Sequence, residues 1–80
     1  MNMNELKEKK VSYLLNSMED GTNIDVFDSL KKVNEEACNW SQIMKVEVGK
    51  EIVKYDTKGN SDSNYRTLSI WENGKRLKDN

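Results

Sequence analysis

The stretch that decides the predicted fold is residues 25–44, DVFDSLKKVNEEACNWSQIM, in the middle of an 80-residue chain. Its apolar side chains recur every three or four residues, which aligns them along one side of an α-helix. The members of this stripe are Val26, Leu30, Val33, Ala37, Trp40 and Met44. Charged side chains occupy the opposite side. The pattern predicts a helix over about 25–42.

A similar pattern precedes this stretch, over residues 3–18. Its main apolar positions are Val11, Leu14, Leu15 and Met18, again three or four residues apart. Gly21 follows, and glycine is common just after the end of a helix. Two helices that are joined by a short loop are expected to lie antiparallel and to share their apolar stripes.

Beyond Trp40 the apolar period changes from helical to alternating. The alternation predicts strands over about 44–48 and 51–56, joined by a Gly49-Lys50 turn with glycine in the first position, as in type II′ hairpins. The same residues also fit a helical stripe, so a continuation of the helix through 44–55 stays open as an alternative.

The last third of the chain predicts a loop, a strand and a tight turn. Residues 56–64 are polar and predict a loop, and residues 65–72 alternate as a strand does. Asn73-Gly74 is a favoured type I′ turn pair and leads into a short strand at 75–78. The predicted fold is one α+β domain, residues 1–80, with two N-terminal antiparallel helices packed on one face of a 3–4-stranded antiparallel sheet.

The expected core draws on all of these elements. Its members are Leu14, Leu15, Met18, Phe27, Leu30, Val33, Ala37, Val46, Val48, Ile52, Leu68 and Ile70. A core of this size is small, so a homodimer formed through the open sheet face or a sheet edge is a reasonable expectation.

The residue types present argue against most catalytic chemistry. Histidine is absent, which removes the commonest acid–base side chain near neutral pH and the commonest ligand of transition metals. Cys38 is the single cysteine, and the glycines stand alone rather than in a phosphate-binding loop. We therefore expect a protein without enzymatic activity, cofactor or metal.

Targeting and charge narrow the class of partner. No apolar run is long enough to cross a membrane, and the first residues lack the apolar core of a signal peptide, so a cytoplasmic protein with no membrane partner is expected. The net charge is −1, which leaves no overall field to attract a polyanion. Lysine far outnumbers arginine, a composition common in phage and mobile-element accessory genes.

One strand suggests a contact surface. In residues 65–72, Leu68 and Ile70 should face the helices, which would leave Tyr65 and Trp71 on the outer face. The candidate partner-binding residues are Tyr55, Tyr65, Arg66, Trp71, Lys75 and Arg76. Tyrosine, tryptophan and arginine are enriched in protein interfaces. The favoured function is a small interaction protein that inhibits or regulates a larger host protein. The alternative is a single-stranded nucleic-acid-binding module, which the low basic excess argues against.

Overall fold

The computed structural model describes residues 8–77, which form a five-stranded antiparallel sheet with one helix against one of its faces. The elements are β1 (Glu8–Ser17), β2 (Asn23–Phe27), α1 (Leu30–Trp40), β3 (Val46–Tyr55), β4 (Ser61–Glu72) and β5 (Lys75–Arg76). The strand order is β2-β1-β3-β4-β5. The predicted fold class is therefore wrong, because the described chain is mostly sheet and has one helix instead of two.

The first predicted helix is strand β1. Its central part lies between β2 and β3, whose side chains flank apolar residues on both of its faces. Leu15 points toward α1 and is fully buried, and its neighbour Leu14 points to the other face and is half-buried. Consecutive apolar residues with i, i+3 and i+4 spacing can satisfy such a strand as well as a helix. Residues 3–7 of that prediction lie outside the described residues.

The second predicted helix begins too early. Residues 23–27 form β2, and α1 starts only at Leu30, where the side chain of Ser29 accepts a hydrogen bond from the amide of Lys32 at 3.3 Å between oxygen and nitrogen. A serine in this position supplies a partner to an amide that the first helical turn leaves unpaired. The helix ends at Trp40, and the buried Ser41 hydroxyl links its last turn to the amide of Gly74.

Residues 46–55 form one uninterrupted strand, so the predicted turn at Gly49-Lys50 is wrong, and so is the alternative of a continued helix. The predicted loop over 56–64 is also too long. A turn at 56–60 suffices, and residues 61–64 already belong to β4. The Asn73-Gly74 turn is confirmed, since both residues have the positive φ that a type I′ pair requires, 55° and 76°. Lys78 of the predicted last strand lies outside the described residues.

The core lies between α1 and one end of the sheet. Its fully buried members are Leu15, Val33, Ala37, Val46 and Val48, and half-buried aromatic side chains of β1, β2, α1 and β4 surround them. Met18 and Leu30 were expected in this core but are 43% and 45% exposed, because the first lies in a turn and the second at the start of α1.

The strands continue well past this core. The described molecule measures 50 × 22 × 21 Å along its principal axes. We call the projecting part the arm and define it as residues 8–12 and 50–66, which comprise one end of β1, β3 and β4 with the turn at 56–60. None of the arm side chains that the structure describes is buried.

Candidate functional site

The arm has two faces of different chemistry. Side chains alternate between the faces of a sheet, and the register of β1, β3 and β4 assigns residues 9–12, 50–55 and 61–66 to one of the two faces. One face continues the side that α1 covers at the other end of the sheet, and we call it the helix-side face. The opposite face, the open face, carries no described element along its whole length.

The helix-side face of the arm concentrates positive charge. Side chains from β3 and β4 line a groove of about 370 Å³ there, and its lining residues are Lys50, Ile52, Lys54, Asp62, Asn64 and Arg66. Lys9 and Val11 lie opposite Lys54 and Ile52 and extend the same face onto β1. We call these eight residues the arm groove. Four cations and one carboxylate are its charged members.

The floor of the arm groove is apolar. Val11 and Ile52 are half-buried and face each other across β1 and β3. Lys50 is half-buried too, whereas Lys54 and Arg66 are exposed. Long cationic side chains can lay their methylene stems on such a floor and keep their charged ends in water. The groove is therefore suited to an extended ligand that carries both negative charges and apolar groups.

The open face centres on Tyr65. Its ring lies across Gly49 so closely that a side chain at position 49 would overlap it. The Tyr65 hydroxyl accepts a hydrogen bond from the side-chain amide of Asn16, 3.1 Å between nitrogen and oxygen. Burial of the ring, and then the negative charge of Glu47, raise the pKa of Tyr65 above its ordinary value of 10.0. The hydroxyl of Thr67 donates to the same Glu47 carboxylate.

The tip of the arm is held by one carboxylate. The Asp56 side chain accepts hydrogen bonds from the amides of Lys58 and Asn60 and from the Asn60 side chain, each at 2.8 Å. These bonds favour the ionised form, so the pKa of Asp56 is lowered, with the Asn60 side-chain bond as the largest cause. The turn therefore presents a defined backbone shape at neutral pH.

The structure separates the six sequence-predicted contact residues. Tyr55 and Tyr65 lie on the open face, and Arg66 lies in the arm groove. Trp71 faces α1, packs against the core and donates its indole N–H to Ser69. The remaining two predicted contact residues, Lys75 and Arg76, form β5 beside Glu72 and Trp71 at the other end of β4.

A β-bulge in β4 accounts for the separation of Tyr65 from Trp71. The register shifts between Val48 and Gly49 of β3, so Leu68 is an extra residue in β4. An extra residue reverses which face the following side chains take. Tyr65 and Trp71 would share a face in a regular strand, but the bulge places them on opposite faces.

The cations of the arm groove outside Arg66 were missed as site residues, although their signal is present in the sequence. Lys50, Ile52 and Lys54 alternate with period two, and so do Asp62, Asn64 and Arg66. The signal was hidden because Gly49-Lys50 resembled a turn and 56–64 resembled a loop. Once both segments are strands, the two alternations lie side by side.

The described residues, 8–77, offer neither a candidate metal-binding cluster nor a membrane-spanning helix. No cluster of three or more histidine, cysteine, aspartate or glutamate side chains among them could hold a metal ion. Within the same residues, no helix has the length and apolar character that a bilayer crossing requires. Comparisons with protein-family models, with curated proteins and with solved structures find no match to this chain.

Proposed function

We propose that this chain is a small non-enzymatic interaction protein that inhibits or regulates a larger protein by docking the arm groove onto an acidic segment of it. The observation that carries the proposal is the charge of the groove, where Lys9, Lys50, Lys54 and Arg66 surround an apolar floor and Asp62 is the one described carboxylate. Complementary charge steers partners together and selects among them.

The arm suits such a contact because it projects beyond the core. Its strands present a long surface without a described covering element, and it can enter a cleft or lie along a partner's surface. An extended acidic peptide could lay apolar side chains on Val11 and Ile52 while its carboxylates reach the cations. Mixed apolar and polar anchoring of this kind is common in protein interfaces.

An acidic protein segment fits the groove better than single-stranded nucleic acid does. Sequence-tolerant binding of single strands combines cations with aromatic rings on which bases stack. Tyr55 and Tyr65 are the described aromatic side chains outside the packing of the core, and both lie on the open face, opposite the cations of the groove.

The test uses two labelled probes of equal length, an oligoglutamate peptide containing isoleucine and a thymidine oligonucleotide. Fluorescence anisotropy measures the binding of each, and amide chemical shifts show where it binds. We expect the peptide to bind and to shift the amides of Lys50, Ile52 and Arg66. The variant K50E/K54E should weaken this binding by roughly tenfold or more, since it places like charges opposite the ligand.

The matched control is K31E/K32E, which changes the net charge equally on exposed positions of α1. It should bind the peptide almost as well as the unmodified protein. Tighter binding of the oligonucleotide than of the peptide at the groove would favour the nucleic-acid alternative. The proposal fails if neither probe shifts the groove amides, or if both variants weaken binding equally.

A further inference from the structure

The outer edge of β4 is open over most of its length. On one side β4 pairs with β3 from Ser61 to Trp71, but on the other side β5 pairs only with Trp71 and Glu72, and Leu77 adds one bond to Ile70. No described residue pairs with that side of β4 over 61–69. Open edges usually carry lysine, proline or a bulge that blocks pairing with another chain. Segment 61–67 contains neither lysine nor proline.

The direction of the backbone groups along this edge follows from one hydrogen bond. The carbonyl of Ile70 accepts from the amide of Leu77, 2.7 Å between oxygen and nitrogen, so the backbone groups of Ile70 point outward. The backbone groups of successive residues in a regular strand point alternately to its two edges. Beyond the bulge at Leu68, the register with β3 shows which residues point outward. The outward-pointing residues of segment 61–67 are therefore Ser61, Ser63, Tyr65 and Thr67.

The regular part of this edge is seven residues long. It begins at Ser61, directly after the turn at the tip, and it ends at Thr67, just before the bulge at Leu68. Asn64 is its midpoint. We propose that a second copy of this chain pairs antiparallel with segment 61–67, with Asn64 on the two-fold axis. Outward-pointing residues would then face each other and form about eight backbone hydrogen bonds, two for each of four facing pairs.

Charge selects this register among its neighbours. With Asn64 at the centre, Asp62 lies opposite Arg66 of the partner subunit, and the reverse pair forms across the axis. Both are pairs without direct backbone hydrogen bonds, in which side chains approach most closely. A centre at Ser63 or Tyr65 would leave each charged residue opposite an uncharged one. The edge is thus self-complementary, as a two-fold symmetric interface must be.

The pairing leaves the rest of the molecule undisturbed. The Tyr65 ring leans inward over Gly49 and toward Asn16, away from the outer edge. The two-fold axis would stand perpendicular to the sheet, so both arm grooves would lie on the same face of one continuous sheet. Asp62, the one carboxylate of each groove, would be neutralised by Arg66 of the partner subunit, which would leave the lysines of both copies to define the face.

Charge reversal tests the register directly. Sedimentation velocity over a wide concentration series should show the unmodified protein as a reversible dimer. D62R and R66D, each alone, should raise the dimer dissociation constant by roughly tenfold or more, since each places like charges in both cross-strand pairs. The double variant D62R/R66D should restore association. An equimolar mixture of the two single variants should form the heterodimer, which native mass spectrometry identifies by mass.

Disulfide trapping locates the axis. In a C38S background, N64C should oxidise to a covalent dimer, because facing residues without direct backbone bonds have Cα atoms about 4.5 Å apart, within disulfide range. The matched control S61C should stay unlinked, because its two copies would lie about 20 Å apart in this register. Circular dichroism confirms that each variant is folded.

The outcomes separate cleanly and do not depend on the proposed function, since all measurements use the purified protein without a partner. A monomer at every concentration overturns the inference. So does a dimer that the folded D62R and R66D variants leave unchanged, or equal cross-linking of N64C and S61C. Heterodimers that form from the two single variants, with a cross-link at position 64 alone, support the pairing with Asn64 on the axis.

Discussion

The covered end of the sheet and the arm are built from the same three strands, yet they differ in what lies on their helix-side face. On β3, Val46 and Val48 are fully buried under α1, whereas Lys50 and Lys54 continue the same face in the arm. This difference between the two ends follows from the unequal lengths of α1 and β3. The eleven residues of α1 span about 16 Å, and the ten residues of β3 span about 33 Å. A helix of this length can cover only about half of the strand, and the other half lies beyond it without a described covering element.

The largest expected difference between the two ends is in stability. L15A should lower the free energy of unfolding by about 2–5 kcal/mol, because it leaves a cavity beneath α1. I52A, the matched change in the arm, should cost about 1 kcal/mol or less, since its side chain is only half-buried. Urea denaturation followed by circular dichroism measures both. Equal losses would mean that the arm is packed as tightly as the core.

Gly49 lies at the boundary between the two regions, and a substitution there should disturb the packing on the open face. In G49A, the added methyl group overlaps the Tyr65 ring, which must leave its place and lose the bond to Asn16. We expect a loss of about 1–3 kcal/mol in the free energy of unfolding. The same G49A change in a Y65A background should cost less, because the overlapping ring is gone. A penalty that stays the same in both backgrounds would contradict this account.

The helix cap offers a smaller test of the covered end. S29A removes the side-chain partner of the Lys32 amide and should cost about 1 kcal/mol. S63A, an exposed serine of the arm, should change stability by no more than about 0.5 kcal/mol in either direction. Both values come from the same denaturation experiment. If S63A proves the more costly, the arm contributes more to folding than its exposure suggests.

The smallest expected effect is electrostatic and belongs to the open face. Burial and the charge of Glu47 raise the pKa of Tyr65 above 10.0 in the folded state. The resulting stability is complete below the unfolded pKa and is lost as pH rises through the folded one. E47Q should lower the pKa of Tyr65, as measured by tyrosinate absorbance, but burial should keep part of the elevation. E72Q, near β5, should leave the pKa unchanged, and a decrease equal to that in E47Q would be the contradictory result.

Several local features could be predicted from the sequence. The Asn73-Gly74 turn was predicted correctly because its residues tolerate the positive φ that the turn needs. The helix predicted over about 25–42 is confirmed for residues 30–40, since Val33 and Ala37 face one packed surface. Both depend on a few neighbouring residues. Neither requires knowledge of which strands pair.

The candidate site could not be predicted in the same way. The arm groove combines three strands that are distant in the chain, and its alternations become visible only when 50–54 and 62–66 are known to pair. Gly49 resembles a turn glycine, but its role is to leave room for Tyr65, sixteen residues later. The bulge at Leu68 depends on the register with β3, and it decides whether Tyr65 and Trp71 share a face.

The sequence by itself determined a helix that includes residues 30–40, the type I′ turn and a strand over 65–72, because backbone preference and short-range periodicity suffice for these. Only the tertiary structure decided that residues 8–17 form a strand, that the sheet extends beyond α1, and that the cations of the arm line one groove. The physical reason is that β1 carries apolar side chains on both faces, with Leu15 buried under α1 and Leu14 half-buried on the open face, so its sequence resembles a helix until its neighbours are known.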